Sequence, residues 1–140
     1  MQIEIFDPLP EISLALIRGG VEQVFLGENN PSEYINIIFL ARNELRKMKK
    51  EYFGLDLYTD VIAFNLNDPD HPIAGEVYLS YEQIIQNSQE FKTQLEDELI
   101  RVLIHGCLHL CGYEDDTKEL KTLMTNRENH YLKIIKELGF

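Results

Sequence analysis

The chain reads as an α+β domain in which a small four-stranded sheet is followed by a helical C-terminal half. Three observations predict this. Strand-like runs occur at residues 2–6, 34–40, 60–66 and 75–80, by polar/apolar alternation or β-branched and aromatic content. From residue 93 onward, apolar residues recur at helical spacing, with start and stop signals around them. The length is 140 residues, within the ~100–150 where compact domains cluster. No repeat, low-complexity tract or Gly/Ser linker divides it, so one domain over 1–140 is expected.

The elements follow in order. Residues 2–6 alternate polar and apolar, as a half-buried strand does. Residues 11–27 place Ile12, Leu16, Ile17, Val24 and Phe25 at helical spacing, although Gly19-Gly20 weakens the pattern. Gly27 to Ser32 is rich in turn formers. Tyr34 to Leu40 is β-branched and aromatic, and 42–52 is a charged helix. Asp60 to Leu66 and Gly75 to Ser80 are strands joined by a loop holding Asp68-Pro69-Asp70 and Pro72. Residues 81–88 form a short helix. Thr93-x-x-Glu96 matches a capping box, and Glu96, Asp97 and Glu98 complement the dipole of a helix over 94–111. Gly112 suits its termination. A last helix covers 117–138.

Charge excludes some functions. Thirteen Lys and Arg stand against 24 Asp and Glu, a net −11 with 26% charged and 44% hydrophobic residues. The composition is that of a folded globular protein. Such a field repels phosphate backbones, which rules out a nonspecific nucleic-acid coat and a polybasic membrane binder. No apolar run approaches the ~18–20 residues of a membrane span. The first residues carry no signal-like stretch, and Cys107 and Cys111 do not form a secreted disulfide framework. A cytoplasmic protein with no membrane partner is expected.

The chemistry lies between Leu103 and Asp116. His105 and His109 are four apart, so on a helix they project from one face, one turn above the other. Their neighbours Val102, Leu103, Ile104, Leu108 and Leu110 make the helix apolar nearly all round, the mark of a buried helix. Buried imidazoles need partners, and a metal ion takes one nitrogen from each. Glu114, Asp115 and Asp116 follow the helix end, and one of them can swing back. Two His and one carboxylate with an open fourth position is a catalytic zinc arrangement. Cys107 and Cys111 lie about 200° round the helix from the histidines and read as small core residues. Gly106 stands where H-E-x-x-H proteases carry their general base. It serves close packing or substrate access. His71 and His130 are incidental.

This run resembles the YbeY family of bacterial metal-dependent endoribonucleases and ribosomal RNA maturation factors, whose signature is H-G-x-L-H-L-x-G-Y-D-H. His105, Gly106, Leu108, His109, Leu110, Gly112 and Tyr113 are in register. Thr59-Asp60-Val61-Ile62-Ala63-Phe64 is similar to the family's T-D-V-L-S-F strand, Gly75-Glu76-Val77 to its G-D-I strand, and Met124 and Glu128 to the M-x-x-x-E of its last helix. The resemblance spans roughly 34–138. It implies a small mixed sheet packed with helices around a central metal-bearing helix.

Two positions depart from the pattern. The third ligand, usually His, falls on Asp115. A carboxylate also binds zinc, but its added negative charge leaves a bound water less acidic. Glu114 and Asp116 compete with it, and register favours Asp115. An Arg that usually follows a Tyr before the T-D-V strand is replaced by Phe53, after Tyr52. The resemblance assigns that Arg to RNA handling. The nearby basic run Arg46, Lys47, Lys49 and Lys50 is either a solvated helix face or a phosphate-binding patch that substitutes for it.

The resemblance thus implies a single-strand-specific metallo-endoribonuclease holding one Zn²⁺ through His105, His109 and Asp115. It would act in maturation of the 3′ end of small-subunit (16S) ribosomal RNA and in ribosome quality control. Its partners would be single-stranded RNA, the small ribosomal subunit and that subunit's proteins. The nucleophile is a zinc-bound water or the neighbouring 2′-hydroxyl. Asp60 and Glu76 are the acids in matched strands and are candidates for a general base or for orienting the histidines. The competing expectation is a ribosome-assembly binding factor with a structural metal. With net −11, RNA is met selectively at one cleft, and free RNA binds weakly.

Overall fold

The computed structural model describes residues 1–140. The order is β1 (Gln2–Phe6), α1 (Leu14–Gly27), β2 (Ser32–Leu40), α2 (Arg42–Phe53), β3 (Val61–Asn65), β4 (Ile73–Ser80), α3 (Tyr81–Phe91), α4 (Leu95–Leu110) and α5 (Lys118–Leu138). The fold is α+β, as expected. The sheet order is β1-β2-β4-β3. β1 and β4 run parallel to β2, and β3 is antiparallel to β4. The sheet is therefore mixed, and β3 is an edge strand.

The two faces of the sheet have different coverings. Gly106 of α4 approaches Val77 and Val61, and Leu110 approaches Gly75, so the face carrying residues 61, 75 and 77 is covered by α4. Alternation sends Phe64, Glu76 and Tyr78 to the opposite face, where Phe64 meets Tyr52 and Phe53 of α2. α4 packs against α1, α3, α5, β3 and β4 at once. That explains why Leu99, Ile100, Val102, Leu103, Ile104, Cys107, Leu108 and Leu110 are all buried. Each large aliphatic side chain so buried contributes roughly 1.5–3 kcal/mol. No helix is long and apolar enough to cross a membrane.

Two local expectations change. The capping box does not form. The N-cap is Gln94, whose side chain makes no cap hydrogen bond. The Thr93 amide instead closes α3 on the Ser88 carbonyl, 3.0 Å away, and its hydroxyl donates to Glu98 Oε2 at 3.4 Å. Gly19-Gly20 does not interrupt α1 either. The helix tolerates the pair because both face close neighbours: the Phe140 ring lies against Gly19, and Ile135 and Leu103 against Gly20.

Candidate metal centre

α4 holds His105 and His109 one turn apart and then ends abruptly. Gly112 adopts φ +100°, a value that L side chains resist. Its amide bonds to the His109 carbonyl and that of Tyr113 to the Leu108 carbonyl, both at 3.0 Å, a Schellman closure. The chain is thereby turned back, and Asp115 comes to face both histidines.

Hydrogen bonds fix which nitrogen of each ring is free. His109 Nδ1–H donates to the Tyr113 carbonyl at 2.9 Å. His105 Nδ1–H donates to Glu128 Oε2 at 2.7 Å, and Arg101 holds the other oxygen of that carboxylate at 3.2 Å. The two Nε2 lone pairs are left facing each other 2.9 Å apart. Asp115 Oδ2 lies 3.3 Å from the first and 3.8 Å from the second. The two nitrogens and the carboxylate converge on one point, where a single metal ion would satisfy all three. Tetrahedral zinc, with bonds of ~2.0–2.2 Å, sets its ligand atoms about 3.3–3.6 Å apart; the three separations here, 2.9, 3.3 and 3.8 Å, bracket that range, and shifts of a few tenths of an ångström would seat such an ion. His105, His109 and Asp115 are the group able to hold it.

The surroundings carry paired shifts. Burial lowers the pKa of His105, but the Glu128 hydrogen bond and charge, with Asp115 and Asp60, outweigh it and the net shift is upward. His109 is lowered, by burial and by its neighbour's charge. Burial raises Asp60 against the charge of His105 and an Asn87 amide that donates to Oδ2 at 3.0 Å. Burial likewise raises Glu98. Cys107 is fully buried in the core. Burial and the Glu28 charge push Cys111 up to about 12. Neither cysteine joins the donor set.

A second network holds the turn from the far side. Glu28, just past α1, accepts hydrogen bonds from Tyr113 Oη (2.6 Å), Arg127 (2.6 Å) and Tyr131 Oη. Burial raises its pKa, but these three partners prevail and hold it below the usual carboxylate range. Glu28 thus anchors the residue whose carbonyl orients His109. Sequence reasoning misses it, because 85 positions separate it from Tyr113 and no local spacing links them. Sequence reasoning also gives Glu128 no role, although the M-x-x-x-E match singles that residue out.

The centre opens into a cleft of about 580 Å³ lined by Lys49, Phe53, residues 59–63, His105, His109 and residues 112–115. Among the expected acids, Asp60 lies in it. Glu76 does not: one residue from Val77, it points with Phe64 to the face away from α4, so it neither orients the histidines nor serves as base. Glu114 lines the cleft beside Asp115, and Asp116 does not. Of the basic run, only Lys49 reaches the cleft. Arg46 is tied to Asp56 at 2.8 Å, and Lys47 and Lys50 are exposed away from it.

The family model described as Endoribonuclease YbeY matches residues 13–136. The chain belongs to the YbeY family. It is 40% identical to the "Endoribonuclease YbeY" of Flavobacterium psychrophilum, over 81% of each chain. With the protein of the same name from Chlorobium phaeobacteroides it shares 33% identity, over 99% of this chain and 100% of that one. The solution structure of a Thermotoga maritima protein superposes with a TM-score of 0.66 at 28% identity, covering 96% of this chain and 89% of the other. The YbeY match runs through every element that builds the centre, from α1 with Glu28 beyond it to Glu128 on α5.

Proposed function

We propose that this protein is a metal-dependent endoribonuclease that cuts single-stranded RNA, acting in the cytoplasm on ribosomal RNA. The observation that carries the reading is the convergence of His105 Nε2, His109 Nε2 and Asp115 Oδ2 at the floor of an open cleft, in a chain whose relatives are named endoribonucleases. Zinc is the ion the donor set suits best, and when bound it supplies Lewis acidity toward water and toward a phosphate oxygen.

The chain's own residues do the rest. Glu128 and the Tyr113 carbonyl fix the rings so that both Nε2 atoms face the cleft. Lys49, on the cleft wall, offsets phosphate charge. Asp60, lifted by burial, held at Oδ2 by Asn87 and lining the cleft, is the general acid–base candidate. The open edge of β3 lines the cleft, which favours a splayed single strand over a duplex. Maturation of the small-subunit RNA 3′ end and ribosome quality control are the roles the family resemblance suggests.

The test is cleavage of matched single-stranded and duplex RNAs by purified protein, with chelator and then with zinc restored. Cleavage of the single strand that chelator stops and zinc restores is expected. Intact RNA alongside tight binding to small-subunit particles would favour an assembly factor with a structural metal instead.

A further inference from the structure

The outer side of the cleft carries an aromatic surface that the metal chemistry does not use. Tyr52 and Phe53, at the end of α2, are 59% and 47% exposed. Both lean on Phe64 of β3, Tyr52 edge-on at 5.3 Å and Phe53 stacked at 5.9 Å with an interplanar angle of 16°. Phe64 in turn meets Tyr78 edge-on at 6.1 Å. The rings are therefore braced from below while keeping solvent-facing surface. Bracing removes most of the entropy cost of using them as a contact.

Two further observations say what covers this surface. The first is charge. In a chain of net −11, the flanking helix presents Lys49, whose Nζ lies over the Phe53 ring, 4.6 Å from its centre. The second is continuity. Phe53 and Lys49 line the same cleft as His105 and His109. A lysine over an exposed, braced ring along a path to a metal centre is a combination that suits single-stranded nucleic acid: the flexible side chain moves off to a phosphate and a base takes its place on the ring.

We propose that Phe53, with Tyr52 and Lys49, is a base-stacking subsite that takes an unpaired nucleotide adjacent to the phosphate held at the metal centre. The proposal rests on the RNA reading above. It also gives Phe53 a part of its own: where the family pattern places a cation, this chain grips the base instead of the phosphate.

The experiment is fluorescence anisotropy of a short unstructured RNA with full-length protein, the oligonucleotide being checked for intactness. A series carrying one abasic nucleotide at successive positions is measured in parallel. Phe53→Ala is expected to weaken binding about 5- to 150-fold with metal content unchanged, Phe53→Trp to retain affinity, and Phe53→Leu, which keeps the packing on Phe64, to lose it. One abasic position should weaken wild-type binding to the same extent and have no further effect on Phe53→Ala. Lys49→Gln should flatten the plot of log affinity against log salt by about 0.7. Equal affinity for Phe53→Ala and wild type, with no sensitive abasic position, would overturn the subsite and leave the RNA reading standing. Absence of RNA binding by wild type would overturn both. Self-association abolished by Phe53→Ala, with RNA affinity unchanged, would assign the patch to a second copy of the chain.

Discussion

At the scale of single residues, the centre depends on acceptors behind the histidines as much as on the histidines themselves. Glu128 receives the His105 Nδ1 proton at 2.7 Å. Glu128→Ala should reduce zinc affinity by ~10- to 100-fold, with Glu128→Gln, which can still accept, losing less; competition with a chromophoric chelator reads this directly. Glu28 acts one step further out. Its pKa is depressed in the folded state, so its stabilisation is complete above its unfolded value and disappears as pH falls through the lower folded value. Glu28→Gln should therefore cost about 1–3 kcal/mol in urea unfolding near pH 7, and the gap from wild type should close in strong acid. The residues of the site are unevenly legible in the sequence. A four-residue spacing exposes His105 and His109 because helical geometry is local. Glu28, Arg127 and Tyr131 are not visible there because their contacts exist only after α1 and α5 meet.

At the scale of elements, α4 is the part on which the others converge, and an apolar circumference is the sequence signature of that burial. Gly106 is what its closeness to the sheet requires: an added Cβ would lie 2.9 Å from Val77 Cγ1 and 3.0 Å from Val61 Cγ2. Both neighbours are stiff β-branched chains on strands. Gly106→Ala should gain about 1 kcal/mol of helix propensity and lose more to overpacking. The net loss, about 1–2 kcal/mol, is measurable by thermal or urea unfolding. Of the two uses of Gly106 that the sequence leaves open, this geometry favours close packing. Strands and helices are legible to within a few residues because their periodicity is intrinsic. The start of α4 is not, since the Thr93 amide is claimed by α3, a contest between neighbouring helices that a capping pattern does not register. The side of the sheet on which Glu76 falls follows from register with α4, and a matched motif carries no such register.

At the scale of the whole molecule, the acidic balance excludes broad electrostatic binding and leaves one place where RNA is tolerated. Of the four basic residues at 46–50, one reaches the cleft. Few phosphates are then neutralised, and the salt dependence of RNA binding should be shallow, with a log–log slope no steeper than about −2; anisotropy titrations across salt concentrations check it. On the proposed function, a chain so charged would meet RNA through a locally inverted field, supplied by a bound metal and Lys49 together. The measurement that bears most directly on this account is zinc content and single-stranded RNA cleavage determined on the same preparations of wild type and His109→Ala. About one zinc per wild-type chain, with cleavage, is expected, and loss of both in the variant. Full cleavage by a zinc-free His109→Ala protein would contradict it.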